Sequence, residues 1–190
     1  RVNLELRNKR FEWVCLGDIA NISAGNSAPQ GDEYFDNGTM PFFRTSDVGK
    51  VHISHDLAIS NDYVNEKAIK ELNLRIFKKG TILFPKSGAS VFLNHRVMMA
   101  VDGYVSSHLA TIYANETVAV PKYLFYMLCL IDAKTLTEDQ NYPSLRLTDI
   151  FNIKIPLPPL SIQKEIVTKI EQYEKIIAGA RQVVENYKPQ

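Results

Sequence analysis

The run Gly80-Thr81-Ile82-Leu83-Phe84-Pro85-Lys86-Ser87 has the spacing of a loop that wraps a nucleotide phosphate. Pro85 stands where the second glycine is needed and removes an N–H that would point at the phosphate, so that chemistry is excluded. His52 and His55 lie three apart beside Asp56, a spacing commoner in exposed turns than in metal centres, and His95 and His108 have no nearby Cys/His/carboxylate set. Asp32, Asp36 and Gly38 are out of phase with a calcium loop. No Gly-x-Ser-x-Gly elbow is present. Asn141-Tyr142-Pro143 does not supply the Asn-Pro-Pro-aromatic motif of an amino methyltransferase. No catalytic or metal site is expected.

The remaining chemistry is that of recognition. From Leu72 to Val101 the chain carries Arg75, Lys78, Lys79, Lys86 and Arg96, with His95, and no Asp or Glu. One-sign charge of that kind favours an anionic partner. A protein that reads DNA needs cations for phosphates and amide, guanidinium or hydroxyl groups for base edges. Lys78, Lys79 and Lys86 are candidates for the first role; Ser87, Ser90, Asn94, His95 and Arg96 stand on turns suited to the second. Ser106, Ser107 and His108 form another polar cluster, and Gln140, Asn141, Tyr142, Ser144 and Arg146 a third. Arg44, with Thr45, follows two aromatics and could reach a guanine or a phosphate. Arg44 and Arg96 are the first candidates for base reading. The same residue types also make ordinary polar turns, which leaves that alternative open.

These groups need a scaffold. Phe11–Leu16, Pro41–Arg44, Gly80–Phe84, Leu109–Tyr113 and Phe151–Ile155 read as strands, with a hairpin expected around Asn94-His95 between Val91–Leu93 and Val97–Val101. Gly17–Ala20 and Leu145–Ile150 read as turns or short helices, and Ser23–Gly38 as a loop. Asp62–Leu72 has helical spacing with Ser60 or Asn61 as cap, and Pro121 opens a helix to Ile131. Strands and helices mix without βαβ regularity, so the expected class is α+β.

After this body, Ile155-Pro156-Leu157-Pro158-Pro159-Leu160-Ser161 forbids helix until Ser161, which offers an N-cap oxygen. Ile166, Ile170, Tyr173, Ile177, Ala180, Val184 and Tyr187 then alternate at spacings of four and three, a heptad seam for pairing with another helix. A helix lying on its own domain is the alternative. The expected division is a body over residues 1–155 and a proline segment with a long, coiled-coil-forming helix over 156–190.

With 190 residues, 45% hydrophobic and 23% charged, the composition is that of a globular protein. The longest apolar run, Tyr123–Ile131, is too short to cross a bilayer. Cys15 and Cys129 lack metal-like spacing and read as buried thiols of a cytoplasmic protein. The start at Arg1, with no signal peptide visible, reads as a trimmed or internal piece.

Four segments carry a resemblance. Trp13 to Asp18 resembles the Trp…Leu-Gly-Asp opening of the target-recognition domains in specificity (S) subunits of type I DNA restriction–modification systems. Arg44-Thr45-Ser46-Asp47, Gly80 to Gly88, and Ile155 to Gln163 with Ile166 match further patterns of that family. The resemblance covers nearly the whole chain but only one of the family's two tandem units: one target-recognition domain with one spacer helix. It implies a non-catalytic module that binds double-stranded DNA and directs methyltransferase (M) and restriction (R) subunits to a site. It further implies no cofactor on this chain, with S-adenosylmethionine on the M subunit, and a second S half or another copy paired through the helix. The other readings are an assembly module, in which the helix joins subunits and the body only docks, and the specificity tail of a fused adenine methyltransferase.

Overall fold

The computed structural model describes residues 11–51, 56–137 and 143–187. Ten strands lie among them: β1 Trp13–Cys15, β2 Ala20–Ala24, β3 Met40–Phe43, β4 Asp56–Leu57, β5 Tyr63–Val64, β6 Ile82–Pro85, β7 Val97–Met99, β8 Tyr104–Val105, β9 Leu109–Ala114 and β10 Lys154–Pro156. The α-helices are α1 Leu16–Ile19, α2 Thr45–Val51, α3 Glu66–Glu71, α4 Pro121–Cys129, α5 Leu147–Phe151 and α6 Leu160–Asn186. The class is α+β, with a long C-terminal helix.

The central sheet has the order β2-β9-β6-β7-β4, antiparallel except where β4 runs parallel to β7. β6 is buried on both faces, which is why it reads as a continuous apolar run. Ile82 and Phe84 face α4 and α5 in the larger core, whereas Leu83 joins Phe43, Val48, Leu57 and Val97 on the opposite face. A smaller sheet, β5-β3-β8, covers a third cluster with Ala68 of α3. β1 and β10 pair antiparallel, Trp13 opposite Pro156, where the body meets the proline segment. Among the described residues, no helix is long and apolar enough to cross a membrane.

Several local expectations change. The first arm of the expected hairpin is a 3-10 turn over Ala89–Leu93, closed by Asn94 in the left-handed conformation (φ 53°); β7 pairs with β6 instead. A turn satisfies its own backbone there, and β6 already supplies the partner that β7 needs. Tyr63–Val64 is strand, so α3 starts later and is capped by Asn65, whose Oδ1 accepts from Ala68 N–H at 3.0 Å. Ser60 is instead turned inward, its Oγ donating to the Phe42 carbonyl at 2.8 Å. Helix α6 begins at Leu160, and the Pro159 carbonyl takes the first helical bonds, from Ile162 and Gln163 N–H, so Ser161 is not the cap. Strand β2 extends to Ala24, inside the expected loop, because β9 pairs along its whole length.

Candidate nucleic-acid interface and partner-facing helix

Beyond Pro85 the chain leaves β6 but stays tied on both sides. Lys86 N–H donates to the His108 carbonyl at 3.0 Å, and the Lys86 carbonyl accepts from Leu145 N–H at 2.7 Å. Ser87 bridges Ser144 antiparallel, and Gly88 N–H reaches the Pro143 carbonyl at 3.0 Å. Gly88 has φ 73°, a turn that a side chain would strain, and Ser90 Oγ secures it by donating to the Ser87 carbonyl at 3.0 Å. Ser87 Oγ and His108 Nδ1 share a hydrogen bond of 2.6 Å. Lys86, Ser87, Ser90, His108 and Ser144, drawn from three separate stretches of sequence, therefore meet at one end of the central sheet.

Two arginines flank this cluster, presented by the same device. Arg44 and Arg146 each immediately precede a short helix whose third residue is Asp. Arg44 N–H donates to Asp47 Oδ2 at 2.9 Å, and Arg146 N–H to Asp149 Oδ2 at 2.8 Å. The carboxylate satisfies an otherwise orphaned N–H and fixes the backbone that carries the arginine. Arg146 follows Ser144 and Leu145 directly, and Arg44 emerges beside the Ser106–His108 loop, because the Phe43 carbonyl accepts from Ser106 N–H at 2.9 Å. Thr45 is half-buried at the start of α2.

Both guanidinium groups are held by a carboxylate. Arg44 is paired with Asp62 and stacks near Phe42 and Phe35, with centroids at 5.4 and 5.9 Å. Arg146 donates to Asp149 from Nε at 3.3 Å and Nη2 at 3.1 Å. Burial alone would raise the Asp149 carboxyl, but the hydrogen bonds and charge of Arg146 hold it below the usual carboxylate range. The Arg146–Asp149 pair is at the surface, where such pairs contribute about 0–1 kcal/mol, whereas Arg44–Asp62 is part-buried.

Other expected contacts lie elsewhere. Lys78 and Lys79 precede Gly80, whereas Lys86 follows β6, so they sit at opposite ends of that strand, roughly 20 Å apart along the chain. The acid-free stretch therefore does not form one face. Lys79 N–H is bound to Asp102 Oδ1 at 2.7 Å, and Lys78 lines a cavity of about 280 Å³ with Arg75 and Tyr113. Asn94 ties loops together, donating to Asp132 at 3.0 Å and accepting from Ala133 N–H at 2.8 Å. Arg96 overturns its expected role most clearly: it is 1% exposed, its guanidinium lies 3.4 Å from the Phe84 ring centroid, and Nη1 donates to the His95 carbonyl. Burial lowers its pKa to about 10, which leaves it a cation at neutral pH. It serves the core rather than a base edge. His52, His55, Gln140, Asn141 and Tyr142 lie outside the described residues.

Residues 8–186 match the model of the type I restriction modification DNA specificity domain. The chain belongs to this family. It is 29% identical over 181 residues to the MjaIX specificity subunit of Methanocaldococcus jannaschii, a match covering 93% of this chain and 40% of that protein. Its fold is similar to that of the HsdS subunit from Thermoanaerobacter tengcongensis, with a TM-score of 0.69 at 20% identity over 93% of this chain and 40% of that one. A structure of a type I R-M system complex gives 0.73 at 19% identity, with 92% and 40% covered. This specificity domain thus spans about 40% of the length of the curated relative just named.

In the specificity domain the long helix divides into two parts. Ile166 packs on the larger core, Val167 is 9% exposed within it, and Ile170 is half-covered. Lys122–Glu171 at 2.5 Å and Tyr126–Glu174 at 3.0 Å brace the next turn against α4. From there the helix is bare: Tyr173, Ile177, Val184 and Tyr187 are 51–74% exposed, and Ala180 is exposed as well. Ile166 is therefore committed to its own body, and the free seam begins at Tyr173. Ile176 and Val183, both exposed, widen that seam on one side beyond the two-position repeat read from the sequence.

Three residues have organising roles that were not read from the sequence, although Asp47 and Gln163 belong to segments that carry the family resemblance. Asn26 bonds both backbone groups of Arg75, at 2.7 and 2.8 Å, and its own backbone holds Val105 and Ser107. Asp47, 2% exposed, also accepts from Ser60 and Asn61. Gln163 is fully buried. Asp47 left a signal in its spacing from Arg44, and Gln163 in its place after the proline segment; Asn26 left none.

Proposed function

We propose that this chain is the DNA-reading unit of a type I restriction–modification complex, one recognition body with one spacer helix. The body, up to about Pro156, binds double-stranded DNA, and the helix beyond it pairs with the helix of a second unit or copy. The observation that carries this reading is the convergence of Lys86, Ser87, His108 and Ser144 between Arg44 and Arg146, together with an unpartnered apolar seam on the rod. Hydroxyls, an imidazole and two cations on adjoining loops suit phosphate and base-edge contact in one groove. In this reading the hydrogen-bonded hydroxyl and imidazole of Ser87 and His108 serve recognition, and the chemistry belongs to the partner subunits.

In this reading the chain supplies the address and its partners the reaction. An M subunit carrying S-adenosylmethionine methylates adenine at the recognised site, and an R subunit joins the same assembly in the cytoplasm. The isolated chain, given DNA, magnesium and S-adenosylmethionine, should show neither cleavage nor methyl transfer. Adding M subunits that assemble with it should yield methylation at one bipartite sequence. Activity of the chain alone, abolished by a point substitution within it, would reject the proposal.

The rod's apolar stripe also suits an assembly module whose body never touches DNA. Replacing Arg44, Lys86 and Arg146 together by alanine separates the readings. In a DNA reader the assembled complex then binds every DNA sequence more weakly and with a shallower salt dependence, whereas with an assembly module both stay unchanged.

A further inference from the structure

Gln163 sits in the first turns of α6, seven residues before Ile170, at a phase where an apolar residue would extend the heptad. Its amide is instead fully buried and fully used. Oε1 accepts from Val120 N–H at 2.8 Å, and Nε2 donates to the Val118 carbonyl at 2.9 Å and the Pro158 carbonyl at 2.8 Å. Those groups belong to the turn that leads into α4 and to the proline segment, so one side chain joins body, linker and rod. A neutral amide offers both an acceptor and two donors from one planar group, which matches this set of partners. An apolar side chain would fill the space but leave Val120 N–H and two carbonyls unsatisfied.

We infer that Gln163 is a positioning residue for DNA-site spacing. It clamps the elbow between recognition body and spacer helix, so that the angle of the rod sets the distance between two half-sites. This rests on the reading of the rod as the connector of two recognition bodies. The rod acts as a lever. From Gln163 to Asn186 the helix extends about 35 Å, so slack of about 10° at the elbow moves its far end by about 6 Å. That is close to two steps of about 3.4 Å along a DNA strand. Lys122–Glu171 and Tyr126–Glu174 brace the rod further out, but both are exposed pairs and too weak to fix the angle alone.

Two variants test the clamp. Gln163→Glu keeps the acceptor and loses the donors; Gln163→Met keeps the shape and loses every hydrogen bond. With Cys15 and Cys129 replaced, spin labels at Lys70→Cys and Arg181→Cys report the body-to-rod distance, the labelled chain being diluted into unlabelled chain. The wild type should give one narrow distribution, and both variants a distribution broader by about 6 Å. In a host expressing the assembled methyltransferase, the methylated sites should keep the same half-site bases, while the variants accept spacers about one or two base pairs longer and shorter. Unaltered label distances and spacer length would overturn the inference. So would outright unfolding of both variants, since Gln163 would then be a core residue and not an elbow. A wild-type complex that methylates an ungapped site would instead remove the underlying reading of the rod, and the label distances would still test the clamp.

Discussion

Ser87 Oγ and His108 Nδ1 stand 2.6 Å apart, although 21 residues separate them in the chain. The bond latches the loop that leaves β6 to the loop that enters β9, and it holds the exposed His108 ring against a fixed backbone. His108→Ala should therefore relax base preference at one position of the methylated site, at a cost of about 1–3 kcal/mol on the preferred sequence. Lys86→Ala should weaken all sequences alike. Competition binding of the assembled complex to single-base variants of the target distinguishes the two patterns.

Arg44 and Arg146 are expected to hold phosphates. Alanine at either position should reduce the slope of log affinity against log salt by about one, with both together removing about two. Asp62→Asn frees the Arg44 guanidinium and should strengthen binding to unrelated DNA. Fluorescence anisotropy across a potassium chloride series measures all three.

Arg96 should behave as a core residue. Arg96→Ala removes the stack on Phe84 and the bond to the His95 carbonyl and leaves a void, a loss of about 2–4 kcal/mol in urea unfolding. The bases read by the surviving folded protein should be those of the wild type, as methylation mapping would establish.

The two parts of the rod should respond differently to the same change. Ile177→Asp with Val184→Asp should abolish self-association or pairing with a second unit in sedimentation, while the body melts as before, because both side chains are exposed. Ile166→Asp should lower the body's melting temperature, because it packs on the core.

Alkaline stability should fall first between about pH 9 and 10. Burial pushes the Cys129 thiol up to about 11 from an ordinary value of 9, so the fold favours the neutral thiol. That contribution is present below pH 9 and is lost as pH rises through about 11. Tyr123, raised to about 12 by burial, adds a loss of the same sign at higher pH, whereas Arg96, lowered to about 10, opposes it there. Cys129→Ala should flatten thermal unfolding across pH 8 to 10.

Strand β6 with its uninterrupted apolar run, strand β9, apolar but for Thr111, and the long helix were legible in the sequence because local composition decides them. Residues such as Asn94 and Arg96 were not. Both belong to a segment with no acidic residue, and their types suit DNA as well as they suit a turn and a stacked core cation. What separated the roles was tertiary: a left-handed turn that needs Asn94, and a Phe84 face that covers Arg96. The meeting of Ser87, His108 and Ser144 depends on pairings between distant segments, which no local spacing records. Gln163 stands in the segment that carries the resemblance, but its burial was hidden, because a polar residue in a surface helix ordinarily signals exposure.

Strands β1 and β10 lie side by side, and Leu157 N–H reaches the Glu12 carbonyl at 2.8 Å. The chain thus crosses into the body and leaves it within about one strand spacing, roughly 4.8 Å. Every residue proposed to face DNA lies on the loop of chain between those two crossings. Recombination at two points there would exchange the whole cassette against a matching two-stranded seam and leave the rod untouched. Hybrids joined at Glu12 and Leu157 should acquire the donor's target in one step, without intermediate sequences of mixed preference.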